Sequence, residues 1–148
     1  MDFAYNDEQK EIIKVVRDLV EKEIVPYASE MDETGKLHEG LLEKLAAQGL
    51  LGVAIPEEFG GAGLDAITIA AIYEELGKGC AGVATTVAAN ALASYPVIIA
   101  GNDDQKKRYF DIINEDNLAA FALTEPGTGS DAGSVSTRAM KTEDGKGY

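Results

Sequence analysis

Between Val83 and Ala100 the sequence carries no charged side chain, and alanine recurs throughout. A helix apolar on nearly every side belongs at the centre of other helices. The residues around it supply them. Asn6-Asp7-Glu8 opens a first helix with acids where they complement its dipole. Ile12, Val16, Leu19, Val20 and Ile24 then recur at helical spacing, opposite Lys14, Arg17, Asp18, Glu21 and Lys22. Pro26 ends or kinks that helix, a shorter helical piece runs to Met31, and Thr34-Gly35-Lys36 is a turn. A second helix is predicted over about Gly40 to Gln48, with Leu41, Leu42 and Leu45 inward and Gly49 as its stop. The glycines of the loop from Glu57 to Gly63 read as a flexible connection. Asp65 caps a third helix, Ala66 to Gly77, with Ile69, Ile72, Tyr73 and Leu76 on one face. The uncharged helix, kinked at Pro96, is the fourth. Asn102 and Gln105 form a capping box for a fifth, Asp103 to Asn114, with Tyr109, Ile112 and Ile113 inward.

At 148 residues the chain is long enough for one domain that buries roughly 70% of its unfolded surface. Its 26 acids against 13 bases give a net charge of −13, which argues against nucleic acid and anionic membranes as partners. The lone Cys80, between Gly79 and Ala81, excludes an internal disulfide framework and reads as inert packing. His38 reads as solvated or capping. Gly77-Lys78-Gly79 is a helix stop rather than a phosphate loop. A metal cluster and a Ser–His–Asp triad both lack parts. No charged-then-apolar leader begins the chain, and the apolar stretches read as short of the roughly 20 residues a membrane span needs. A soluble cytoplasmic protein is expected.

At Leu118 the pattern changes. Leu118 to Thr124 reads LAAFALT, an apolar run suited to a buried strand, and Glu125-Pro126 leads into a loop with Gly127, Gly129 and Gly133. Such a turn brings bare backbone close to a ligand, with glycines permitting positive φ and successive N–H groups forming a nest for phosphate oxygens. Thr124, at the strand's end, offers a hydroxyl. Val135 to Met140 alternates loosely, and Glu143 to Gly147 is a hairpin turn whose second strand would begin at Tyr148. A hairpin cut at its turn cannot satisfy its own ladder, so the chain reads as the front part of a longer protein. Gly127-x-Gly129-x-x-Ala132 formally satisfies a dinucleotide fingerprint, but Gly133 to Lys141 lacks the helical stripe which that motif needs.

Three stretches together resemble the acyl-CoA dehydrogenase family: Phe121 to Asp131 (FALTEPGTGSD), Ile55 to Leu64 (IPEEFGGAGL), and Pro96 to Asn102 followed by Asp104-Gln105-Lys106-Lys107. They stand in family order and cover essentially the whole chain. The resemblance implies a mainly α fold: an up-and-down helical bundle over residues 1–117, then the first strands of a truncated β-domain over 118–148. It implies FAD as cofactor and α,β-dehydrogenation of an acyl-CoA thioester, with a carboxylate taking the α-proton and hydride passing to flavin N5. By the same resemblance Phe121, Ala122 and Leu123 line the flavin edge and Thr124 bonds its pyrimidine portion. Gly127, Thr128, Gly129 and Ser130 approach the pyrophosphate, and Ser130 also touches CoA. Ala84, Thr85 and Ala88 help close the far end of the acyl cavity, although small residues there equally allow close helix packing. Strand-end and turn capping is the alternative role for Thr124 and Ser130, and the motif context favours the ligand-binding one.

Glu125 is assigned to orienting the turn. In the family the base is a glutamate of a later domain, so residues 1–148 are expected to lack it and not to turn over alone. Implied partners are an electron-transferring flavoprotein and three further copies in a homotetramer. The competing expectation is a non-catalytic helical assembly module of the same fold without flavin.

Overall fold

The computed structural model describes residues 4–115, 117–145 and 147. Helix α1 (Asp7–Leu19) begins at Asn6, whose side chain accepts from the Gln9 amide at 2.8 Å while the Gln9 side chain accepts from the Asn6 amide at 3.0 Å. This reciprocal cap satisfies two N–H groups the helix cannot. Pro26 has no N–H to give and its ring crowds the preceding turn. The chain answers by widening to a π turn over Val20–Ile24 and tightening to a 3₁₀ turn over Val25–Tyr27 before α2 (Ala28–Thr34). Gly35 ends α2 at φ 64°, and Gly49, at φ 68°, follows α3 (Leu41–Ala47). His38 stacks on Tyr27, ring centroids 3.5 Å apart.

Helices α4 (Ala66–Gly79) and α5 (Ala81–Ala100) pack on one another, and α1 packs on α4. Val16, Val20, Ile24, Leu41, Leu45, Leu50, Ile72, Leu76, Val83 and Val87 form one apolar core. On α4 the buried face is Thr68, Ala71, Ile72, Glu75 and Leu76; the predicted Ile69 and Tyr73 are only half-buried. Tyr73 turns a buried hydroxyl inward with no partner among the described residues. Glu75, 5% exposed, receives Arg17 through Nε at 3.0 Å and Nη2 at 2.9 Å, and Lys78 Nζ at 2.8 Å. These partners, Arg17 foremost, hold its carboxyl at about 2 although burial pushes it upward.

Helix α6 (Asp103–Ile113) starts at the expected Asn102–Gln105 capping box. Its buried residues are Phe110 and Ile113, not Ile112, which is 58% exposed. The loop before α4 explains the difference. Phe59 stacks on Phe110 with centroids 4.6 Å apart, and Ile55 completes that small second core. The same loop is not a flexible connection. Gly61 N donates to Pro56 O at 3.2 Å, Ala62 N to Gly52 O at 3.0 Å and Gly63 N to Ile55 O at 2.9 Å. Asn114 Nδ2 donates to Phe59 O at 2.9 Å from the end of α6. Gly61 sits so close that a Cβ there would meet Ile55 O at 2.1 Å.

Two expectations fail. Helix α5 is not surrounded: Val83, Val87, Asn90, Ala91 and Ser94 are buried, while Leu92 (50%), Tyr95 (44%) and Ile99 (81%) stay exposed. This 20-residue helix is also long and apolar enough, by length and composition alone, to cross a membrane; its buried face carries Asn90 and Ser94. No strand forms among the described residues beyond 117, only an isolated bridge between Glu125 and Thr128. A strand exists through its ladder, and among the described residues this stretch has no second strand to pair with. Leu118, Phe121 and Leu123 are accordingly exposed by 42%, 41% and 43% rather than buried. The later turn does close, with Gly145 N donating to Thr142 O at 2.9 Å; Lys146 and Tyr148 lie outside the described residues.

Gly61→Ala should cost about 1–3 kcal/mol in urea unfolding, because backbone rather than a side-chain tip must give way. Glu75→Gln should lower the melting temperature at pH 7. Since the Glu75 value drops from 4.5 to about 2 on folding, the gap to wild type should be full above pH 4.5 and close as pH falls toward 2. Melts at both pH values check this.

Candidate functional site

The chain leaves the bundle at the end of α6 under two restraints. Asn117 Nδ2 donates to Ile112 O at 2.7 Å, and Ala119 N donates to Asn90 Oδ1 at 2.7 Å. From Ala120 to Thr124 no backbone group has a partner among the described residues. The turn that follows is closed by a reciprocal pair, Glu125 N to Thr128 O and Thr128 N to Glu125 O, both 3.0 Å. Thr128, 7% exposed, is the turn's anchor, with Oγ1 donating to Ser134 O at 3.1 Å. Behind it Ala132–Ser134 makes one 3₁₀ turn, and the Ser134 hydroxyl bonds the Asp131 carboxylate.

Glu125 folds its carboxylate back beneath this turn. Oε2 accepts from Ser136 N and Ser136 Oγ, each at 2.9 Å, and Oε1 accepts from Thr137 N at 2.8 Å. The Thr137 side chain contributes most, then the two amides and the Ser136 hydroxyl, and the carboxyl is held at about 2. A carboxylate so satisfied is a strut and a poor base. Sequence reading assigned Glu125 to the turn but gave no role to Ser136 or Thr137, whose partner is eleven and twelve residues away.

The outer side of the turn is bare. Gly127, Gly129 and Ser130 are exposed, and their amides have no partner among the described residues. None of the three motif glycines adopts positive φ, so conformational freedom does not account for them. A Cβ built on Gly127 or Gly129 would meet nothing within 4 Å. What glycine provides here is uncovered main chain, with N–H donors suited to an anion.

Thr124, Phe121, Ala122 and Leu123 lie exposed on the approach to the turn. Ala84, Thr85 and Ala88 lie on α5. Ala84 and Ala88 are half-buried, and the exposed Thr85 donates its hydroxyl to Ala81 O at 2.8 Å. No hydrogen bond joins these three to residues 121–130 among the described residues. Two open grooves of about 500 and 570 Å³ flank α6, and neither is lined by a residue of the turn. Sequence reading missed Asn90. Its signal was there, since Val83, Val87, Asn90 and Ser94 share one helical face.

Fold and turn together define a helix-bundle domain that presents bare peptide on a carboxylate-braced loop. Residues 6–115 match the family described as acyl-CoA dehydrogenase, N-terminal domain. The chain is 41% identical over 141 residues to a 3-(aryl)acrylate reductase of Clostridium sporogenes, covering 93% of this chain and 37% of that one. It superimposes on butyryl-CoA dehydrogenase from Megasphaera elsdenii with a TM-score of 0.82 and 35% identity, over 98% of this chain and 39% of the other. An acyl-CoA dehydrogenase of Bacillus anthracis complexed with FAD gives 0.81 and 36%, over 95% and 25%. The chain belongs to the acyl-CoA dehydrogenase family. It spans well under half the length of these relatives.

Glu125→Gln should abolish the downfield amide shifts of Ser136 and Thr137 in a proton–nitrogen NMR spectrum. In wild type those shifts should stay constant from pH 7 to 4.5 and be lost as pH falls through about 2. A midpoint near 4.5 would contradict the strut.

Proposed function

We propose that residues 1–117 form the helical N-terminal domain, and 118–148 the start of a middle β-domain, of an FAD-dependent dehydrogenase acting on acyl-CoA thioesters. The observation that carries this reading is the glycine turn. The amides of Gly127, Gly129 and Ser130 have no partner among the described residues, the Cβ positions of Gly127 and Gly129 are open, and no positive φ calls for glycine at either. Those features fit a pyrophosphate laid against main chain.

Bound FAD would supply the acceptor for the hydride that leaves the substrate's β-carbon. This chain's residues orient it and keep water away. The amides of Gly127, Gly129 and Ser130 bind the pyrophosphate beside the buried Thr128, and Ser130 also reaches the CoA portion. Phe121, Ala122 and Leu123 cover the ring edge with apolar side chain, which excludes water where charge develops. Thr124 directs its hydroxyl at the pyrimidine portion. Ala84, Thr85 and Ala88, small and uncharged, leave depth for the acyl chain. The α-proton base stands outside these residues, so the 148-residue chain alone does not turn over. The whole protein is cytoplasmic and homotetrameric and hands electrons to an electron-transferring flavoprotein.

The relative named as a 3-(aryl)acrylate reductase favours a second reading with the same site run in reverse, saturating an α,β-double bond. One set of experiments separates these. Full-length protein should be yellow and should oxidise butyryl-CoA with a dye acceptor; reduction of an arylacrylate instead selects the second reading. Gly127→Ala and Gly129→Ala should leave stability within about 0.5 kcal/mol while lowering FAD affinity roughly tenfold or more. Colourless protein after adding FAD, or full affinity in both variants, overturns the assignment in favour of an assembly module.

A further inference from the structure

The exit of the chain from the bundle depends on one side chain whose role the motif does not announce. Asn90 is fully buried, on the inner face of α5. Its Oδ1 accepts from Ala119 N at 2.7 Å, and its Nδ2 donates to Asn117 O at 3.5 Å and to Leu51 O at 3.3 Å. An amide that takes the N–H of one residue and meets the C=O two residues earlier copies what a neighbouring strand does to residues 117–119. One turn on, Ser94 Oγ donates to the main-chain carbonyl of Asn90 at 2.6 Å and lies 3.2 Å from Tyr109 Oη, so the helix beside the amide is itself held. Every polar atom of the Asn90 amide is thereby used at a site that excludes water.

Register is the quantity such a mimic controls. A one-residue slip in strand-like chain exchanges the two faces, so Phe121 and Leu123 would trade places with Ala122 and Thr124. Asn117 Nδ2 on Ile112 O tethers the exit by a side chain, whereas Asn90 holds its main chain; beyond it Ala120 to Thr124 have no backbone partner among the described residues, so the register set at 117–119 is carried forward. We infer that Asn90 is a positioning residue: by acting as a single-residue strand for 117–119 it sets which side of the 121–124 segment meets the flavin. This rests on the FAD reading above.

The test uses full-length holoprotein and three forms: wild type, Asn90→Ala, and Val87→Ala as a control that loosens the same helix without touching the exit. Hydrogen exchange at Ala119 and the visible flavin spectrum are read together with the rate of flavin reduction by substrate. Asn90→Ala should speed Ala119 exchange roughly tenfold, the factor that one lost buried hydrogen bond gives. It should also shift the flavin bands and slow reduction at least roughly tenfold, as misplacement at the reacting ring does. Val87→Ala, matched in melting temperature, should change none of these. Equal effects in both variants, or none in Asn90→Ala, overturn the inference. Where Asn90→Ala does not fold, Asn90→Asp carries the comparison, keeping the acceptor for Ala119 and losing the donor. If wild type holds no flavin, the cofactor reading fails by itself, and Ala119 exchange alone then decides for or against Asn90.

Discussion

The inner face of α5 does two unlike jobs along one line of side chains. At its start Val83 and Val87, each 1% exposed, are packed with α1 and α4 side chains. Fully burying such a side chain contributes about 1.5–3 kcal/mol. Two turns later the same line reads Asn90 and Ser94, both fully buried. Polar groups there would destabilise the bundle by about 1–3 kcal/mol each if unpaired, so they are tolerable only because Leu51, Ala119 and Tyr109 come to meet them. The helix that makes the core thus also holds the Leu50–Gly52 turn and the exit segment against it. Were α5 uniformly apolar inside, the bundle could form while the main chain of 117–119 lost its hydrogen-bond partner.

The outer face of the same helix follows different logic. Thr85, Leu92, Tyr95 and Ile99 are exposed and, with the half-buried Ala88, make an uncharged stripe. In the proposed reading its first turns line the acyl cavity and the rest is packed by further protein, which fits a chain matching 37% to 39% of its relatives' lengths. Uncharged side chains on both faces make the helix look central in the sequence, although the chain itself buries only one side.

What the sequence discloses and what it hides follow from the range of the interactions. Caps were legible because both partners lie within three residues: Asn6 with Gln9, Asp65 with Thr68, Asn102 with Gln105. Glu75 was not, because an acid among Glu74 and Lys78 looks solvated until Arg17, 58 residues away, is seen to reach it. The α6 face was ambiguous because Tyr109, Phe110, Ile112 and Ile113 cover more than one side; Phe59, stacking from a loop, selects Phe110. Strand character after Leu118 was overread, since alternation states a preference that only a partner can realise. Of the two reasons for glycine in the turn, bare backbone and positive φ, only the first has support.

In the proposed reading a chain of net charge −13 receives a polyanion, and Glu125 sharpens that local problem by placing a further carboxylate within two residues of Gly127. The geometry disposes of that charge. Ser136 and Thr137 engage both oxygens, and hydrogen-bond donors gathered on a carboxylate spread its charge into their own dipoles. Those bonds draw the carboxylate to one side of the turn, while the unpaired amides of Gly127, Gly129 and Ser130 remain free for a ligand. Main-chain donors also suit an acidic protein better than lysines would, because they bind anions without competing carboxylates drawing them away. Pro126 contributes by having no amide of its own, and the reciprocal Glu125–Thr128 bonds keep the loop from collapsing onto the donors it displays. In that reading the acid of the motif acts as support for the anion site: its negative charge is taken up by Ser136 and Thr137, while the amides of Gly127, Gly129 and Ser130 stay unpaired.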